Sequence, residues 1–148
     1  QLDYALENSK KIVTLLEDYF GDAFPYPKLD QITSPIQPGA MENAGADLYG
    51  DSILIVNDQA STSRKRVFGM VVAHELAHQW FGDLLTCAEW TEIWLNEGFA
   101  TYLTQMYVEE THGEDALRGL DSAIELAKKN AKLIRPALRP RNDPSRVS

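Results

Sequence analysis

Two of the three histidines in this chain, His74 and His78, stand four residues apart with Glu75 between them. On a helix, one turn brings both imidazoles onto the same face. Two neutral imidazoles at that spacing can hold one Zn²⁺ ion, with Glu75 beside them as a general base. The flanks read as helix. Val67-Phe68-Gly69-Met70-Val71-Val72-Ala73 leads in, Gln79-Trp80-Phe81 follows, Gly82 is the expected stop and Ser63 the expected cap. A segment this apolar is expected to be buried, and buried imidazoles need partners. Hydrogen-bonded core histidines meet that need as well as a metal does, so the pair alone leaves both readings open.

A zinc site that does chemistry uses three protein ligands and keeps a fourth position for water. Trp94-Leu95-Asn96-Glu97-Gly98-Phe99-Ala100 offers Glu97, with eighteen residues between it and His78. That gap suits a loop and the start of a second helix packed across the first. Thr86-Cys87-Ala88-Glu89 has the pattern of a capping box, which predicts a helix from about Cys87 to His112 and Gly113. Ile93, Glu97 and Thr101 then share a face, and Glu97 on so apolar a segment reads as a ligand rather than a solvated side chain. Metal-bound imidazoles donate their other nitrogen to an outer acceptor, a role that Asn96 and Thr101 are placed to fill. Helix-local hydrogen bonds would account for both equally well.

His74-Glu75-Leu76-Ala77-His78 followed by Asn96-Glu97-Gly98-Phe99-Ala100 resembles the gluzincin signature. Gly39-Ala40-Met41-Glu42-Asn43 resembles the exopeptidase motif of the zinc aminopeptidase N family, to which leukotriene hydrolase-type enzymes also belong. Phe24-Pro25-Tyr26-Pro27 and Gln79-Trp80-Phe81-Gly82-Asp83 fit the same family, and the resemblance covers residues 2–112. It implies an α+β, thermolysin-like catalytic domain with a small sheet beside the zinc helix. It implies one Zn²⁺ held by His74, His78 and Glu97, with Glu75 as the base that activates the metal's water. Glu42 matches the acid that holds the free α-amino group of a peptide. Gly39, Ala40, Met41 and Asn43 match the backbone segment along the substrate, with Met41 near the first side-chain pocket. A carboxylate facing a protonated amine makes a charge-assisted bond that a mid-chain amide nitrogen cannot, which is what an exopeptidase requires. The expected activity is removal of amino-terminal residues from peptides. An endopeptidase or epoxide hydrolase on the same scaffold, and a non-catalytic module derived from the family, are the alternatives.

The family's transition-state-stabilising tyrosine lies downstream of the last residue here. Tyr102 and Tyr107 match no catalytic position and read as core or rim aromatics. A partial catalytic domain over residues 1–134 and a frayed tail over 135–148 are therefore expected, with the parent's other domains as packing partners. Gln1 is not an initiator, in keeping with an excised piece. An apolar content of 44% marks the chain as globular rather than disordered. A net charge of −8 with no basic stripe argues against a nucleic-acid partner. No apolar run approaches a membrane span and no signal peptide is visible, which favours the cytoplasm. The single cysteine, Cys87, rules out an intramolecular disulfide and reads as a packed thiol.

The remaining pattern predicts a first helix over 2–20 through Leu2, Leu6, Ile12, Val13, Leu16 and Tyr19, stopped by Gly21. Short strands are expected over 29–32, 47–49 and 52–56, the last two separated by Gly50, with a loop over 35–39. A third helix is expected over 115–133.

Overall fold

The computed structural model describes residues 2–113, so the expected third helix and the tail lie outside the described residues. The first helix, α1, runs Asp3–Phe20 and ends at Gly21, whose N–H bonds the Glu17 carbonyl at 2.8 Å. Its buried stripe is Ala5, Ser9, Ile12 and Leu16. Leu2, Leu6 and Tyr19, expected on the apolar face, are exposed. The stripe is turned toward the small residues Ala5 and Ser9, and Tyr4 beside it meets the Phe68 ring edge-on at 5.5 Å.

Three strands follow: β1 (Asp30–Ser34), β2 (Ala40–Met41) and β3 (Ala46–Gly50). β3 is central, parallel to β1 in register Asp30 to Ala46 and antiparallel to β2 in register Met41 to Leu48. Alternation along β3 sends Asp47 and Tyr49 into the interior.

Residues 52–56 do not form the expected strand. Asp51–Leu54 is a short helix, α2, begun from an extended Gly50. The β3 ladder ends at Gly50, whose N–H is taken by the Gly39 carbonyl at 2.8 Å. A Cβ there would sit 2.4 Å from the Gln37 carbonyl oxygen. The chain turns there, and a single helical turn still buries Leu54, with Val56 buried just beyond it. Burial against the neighbouring elements overrides the β-branched composition of this run.

The histidine-bearing helix, α3, spans Thr62–His78. Ser61, not Ser63, is its cap, accepting from the Arg64 N–H at 3.3 Å. Phe68, Val72, Ala73, Leu76 and Ala77 bury one side among residues of α1, the sheet and the last helix.

The expected capping box at Thr86 is not used. The Thr86 hydroxyl instead donates to the Gly82 carbonyl at 2.7 Å, closing the turn that follows α3. A 3₁₀ turn at Trp90–Glu92 intervenes, and the last helix, α4, spans Trp94–His112. It crosses α3 where Gly69 leaves space, since a Cβ at Gly69 would lie 2.5 Å from the Tyr107 hydroxyl. Tyr107 packs against the core and Tyr102 is exposed. No helix among the described residues is long and apolar enough to cross a membrane.

Gly50 and Gly39 give a paired test of the sheet's exit. Gly50→Ala drives a methyl into a backbone carbonyl and is expected to cost ~1–3 kcal/mol. Gly39 has nothing within 4 Å of a would-be Cβ, so Gly39→Ala is expected to stay within ~0.5 kcal/mol of the parent in denaturant unfolding.

Candidate metal centre

The last turn of α3 carries His74, Glu75 and His78, with His78 buried. His78 Nδ1 lies 3.0 Å from the Phe81 carbonyl oxygen. A carbonyl can only accept, so Nδ1 carries the proton and Nε2 keeps its lone pair. That lone pair points toward His74, whose Nε2 is 3.1 Å away, with the two rings at 86°. Glu97, in the first turn of α4, brings Oε2 to 3.3 Å from His74 Nε2 and 3.7 Å from His78 Nε2. Zinc in tetrahedral coordination at ~2.0–2.2 Å sets its ligand atoms about 3.3–3.6 Å apart. The three separations, 3.1, 3.3 and 3.7 Å, bracket that spacing, and the donors are ligand types zinc prefers.

The Phe81 turn makes this geometry possible. Gly82 has φ +136°, a conformation a side chain rarely adopts, and a Cβ there would press to 3.3 Å from His78 Nδ1. The chain then doubles back, with the Asp83 N–H on the His78 carbonyl at 3.0 Å and the Leu85 N–H on the Trp80 carbonyl at 2.9 Å. The Phe81 ring stacks on Phe99 of α4 at 4.4 Å, two residues beyond Glu97. One residue thus orients the second imidazole and helps seat the helix that carries the carboxylate.

The electrostatics favour a cation. Burial, then the His78 ring, hold His74 below the ordinary histidine range. Burial pushes Glu75 up to about 8, helped by the Glu42, Asp47 and Glu97 carboxylates. Burial likewise lifts Asp47 to about 7 and Asp83 to about 6, with Glu42 adding to both. Five acids crowd the two imidazoles, and a dication there would offset the charge they carry when ionised. Glu75 also lines a cavity of about 270 Å³ together with Met70, Val71, His74, Thr101, Thr104 and Gln105.

Glu42 lies just past the end of β2 and is half-buried. Its segment is tied to α3 through Gln79, the residue after His78. The buried Gln79 carboxamide accepts from the Gly45 N–H at 2.8 Å. It donates to Asp47 Oδ1 at 2.8 Å and to the Glu42 and Asn43 carbonyls at 3.1 and 3.3 Å. The other Asp47 oxygen accepts from the Tyr49 hydroxyl at 2.9 Å. Gly45 has φ +67°, and a Cβ there would come to 3.0 Å from the Lys28 carbonyl.

His74, His78 and Glu97 therefore converge as expected. Glu97 is less buried than its apolar setting suggests, at 53% exposure, because it faces the open side of α3 and α4. The hydrogen-bond partner of His78 Nδ1 is the Phe81 carbonyl. Asn96 Nδ2 lies beside Gly82, and Thr101 lines the cavity next to His74 and Glu75. Ala40 and Met41 form β2, Gly39 supplies the carbonyl that ends β3, and Asn43 gives its carbonyl to Gln79. Gln79, Asp47 and the Phe81 carbonyl escape sequence reasoning. The available signals were a lone amide in an apolar run and an acid at an inward strand position.

Two histidines from one helix and a carboxylate from a second form a group that could hold a metal ion. The peptidase family M1 domain matches residues 4–142, and the chain belongs to that family. It is 46% identical over 116 residues to human endoplasmic reticulum aminopeptidase 1, covering 77% of this chain and 12% of that protein. It is 45% identical over 116 residues to mouse aminopeptidase N, covering 75% of this chain and 12% of the relative. With probable aminopeptidase 2 of Sulfurisphaera tokodaii the identity is 43% over 112 residues, covering 75% and 14%. The chain thus spans about an eighth of the length of these relatives.

The Asp47 carboxyl sets a pH dependence. Burial lifts its pKa to about 7, above the ordinary aspartate value of 3.8, so the folded chain keeps a proton that the unfolded chain releases. The contribution of this group to the stability of the metal-free protein is full below about pH 4 and is lost as pH rises through about 7. Asp83 and Glu75 act in the same direction. Denaturant unfolding at pH 5 and pH 7.5 is expected to show a smaller loss for Asp47→Asn than for the parent.

Proposed function

We propose that the chain carries the metal and amine sites of a zinc aminopeptidase, cleaving the first peptide bond of peptides with a free amino terminus. The observation that carries this reading is the convergence of His74, His78 and Glu97, with Glu42 tied to the same helix end. The thermolysin-like architecture implied by the motifs is part of the proposal. Its support is a three-stranded sheet, with β2 at its edge among the described residues, beside the histidine helix.

His74, His78 and Glu97 would hold the zinc, whose contribution when bound is Lewis acidity toward the scissile carbonyl and toward water. His78 is fixed in the productive tautomer by the Phe81 carbonyl. Glu75 takes a proton from the attacking water and returns it to the leaving amine. A cation beside it favours the ionised carboxylate that a base must be. Glu42 accepts the α-ammonium group, which selects a chain end and sets which carbonyl reaches the site. The backbone of Gly39, Ala40 and Met41 lies along the substrate, with Asn43 completing the segment.

Metal analysis of the purified chain is expected to give about one zinc per chain. His78→Ala is expected to lose it and Glu75→Gln to retain it. Equal retention by His78→Ala would defeat the ligand assignment. On the zinc-loaded chain, L-leucine hydroxamate is expected to bind about 10–100-fold more tightly than its N-acetyl form, the range of a charge-assisted bond. Glu42→Gln is expected to erase that ratio. Equal binding of both probes by the parent chain would sink the exopeptidase reading in favour of an endopeptidase.

A further inference from the structure

The residue after the second imidazole is a buried amide whose hydrogen bonds all leave its own helix. Gln79 is 0% exposed and reaches residues 42, 43, 45 and 47, more than thirty positions earlier in the chain. We infer that Gln79 is a positioning residue for amine recognition, fixing the backbone under Glu42 to the end of the histidine helix. The inference rests on the reading of Glu42 as the amine-binding acid.

The geometry is that of a three-point clamp. A carboxamide has one acceptor oxygen and two N–H donors. The oxygen takes the Gly45 N–H, and the two donors are shared among three oxygens, from Glu42, Asn43 and Asp47. Flipping the amide would set oxygen against three oxygens, so its orientation is determined by the partners. Asp47 is held in turn by the Tyr49 hydroxyl from the same strand face. The clamped segment has little freedom of its own. The Ala46 N–H bonds the Asn43 carbonyl at 2.8 Å, and the Asp30 N–H bonds the Gly45 carbonyl at 2.9 Å. With the backbone on both sides of Glu42 fixed, only its side-chain torsions remain to be ordered when an amine binds.

Position along the chain makes the clamp functional as well as structural. Gln79 is bonded covalently to His78, whose ring is set by the Phe81 carbonyl. The distance between the metal ligands and the amine-binding acid is therefore set across a single peptide unit. Recognition of a chain end needs both contacts at once, and an error of about 1 Å in such spacing can cost ~100-fold. Loosening the clamp should leave metal binding intact and weaken discrimination for the amine.

Two variants test this on the zinc-loaded chain, with the affinity ratio of L-leucine hydroxamate to its N-acetyl form as the readout. Gln79→Leu removes every contact of the clamp. The paired change Gln79→Glu with Asp47→Asn keeps an acceptor for Gly45 and a donor–acceptor pair with position 47. It replaces the N–H groups that hold the Glu42 and Asn43 carbonyls with an oxygen that repels them. Both variants are expected to keep zinc affinity within about threefold of the parent. Their probe ratio should fall at least fivefold toward that of Glu42→Gln. A paired variant that folds and keeps the parent ratio within twofold would overturn the inference. So would zinc affinity falling in step with the ratio, which marks a general structural loss. Failure of both variants to fold, while Glu42→Gln folds, would also overturn it by making Gln79 a folding residue only. A parent chain with no ratio to lose would instead refute the reading of Glu42.

Discussion

The structure depends on how polar groups are satisfied where α3 ends inside the molecule. A helix terminus leaves backbone carbonyls without intrahelical partners, and here the terminus also carries a buried imidazole and a buried carboxamide. The turn through Gly82 answers the first demand by sending the Asp83, Leu84 and Leu85 N–H groups back to the carbonyls of His78, Gln79 and Trp80. The Phe81 carbonyl answers the second, and Gln79 answers the third by reaching across to the segment after β2. Each solution has a chemical by-product. The turn leaves the His78 Nε2 lone pair unprotonated, and the amide ties the backbone of Glu42 to the same helix end.

A second organising feature is the division of labour between helices. α3 supplies both imidazoles and Glu75, so their relative placement follows from helical periodicity and costs no long-range order. Glu97 comes from α4, and its placement depends on tertiary contacts: Phe99 on Phe81, and Tyr107 over Gly69. The negative field from Glu42, Glu75, Asp47, Asp83 and Glu97 is tolerable because several of these groups hold their protons well above the usual carboxylate range. Burial is the largest cause in each case, so the same shielding that protects the site also determines its charge state.

Much of this was legible in the sequence where one physical rule dominated. Helical spacing located His74 and His78, and the glycine at position 21 marked the end of α1. The motifs singled out Glu97 and Glu42, but neither the start of α4 just before Glu97 nor the strand β2 just before Glu42 was expected. The failures fall where two rules compete. Thr86 has the side chain of a helix cap, but its hydroxyl closes the preceding turn instead, so α4 begins at Trp94 rather than near Cys87. Residues 52–56 have the composition of a strand, but the β3 ladder ends at Gly50 and a single helical turn buries Leu54 instead. Leu6 fits the apolar period of α1 and is nevertheless exposed, because the small side chains of Ala5 and Ser9 set the contact face. Gln79 and Asp47 are each unremarkable in sequence. Only the fold shows that a residue just beyond a helix end and one on a strand are facing each other across an otherwise apolar interior.

The crossing at Gly69 has a mechanical consequence. Tyr107 and Glu97 are ten residues apart on one helix, a span of about 15 Å. The contact with Gly69 therefore acts as the fulcrum of a lever whose other end carries a donor atom. A tilt of only ~4° at that fulcrum would swing Glu97 by about 1 Å over this rise. That displacement is a large fraction of the separations of 3.3 and 3.7 Å that bring Glu97 to the two imidazoles. A hydrogen atom standing in for a methyl group at Gly69 leaves room for the Tyr107 ring of the helix that carries Glu97.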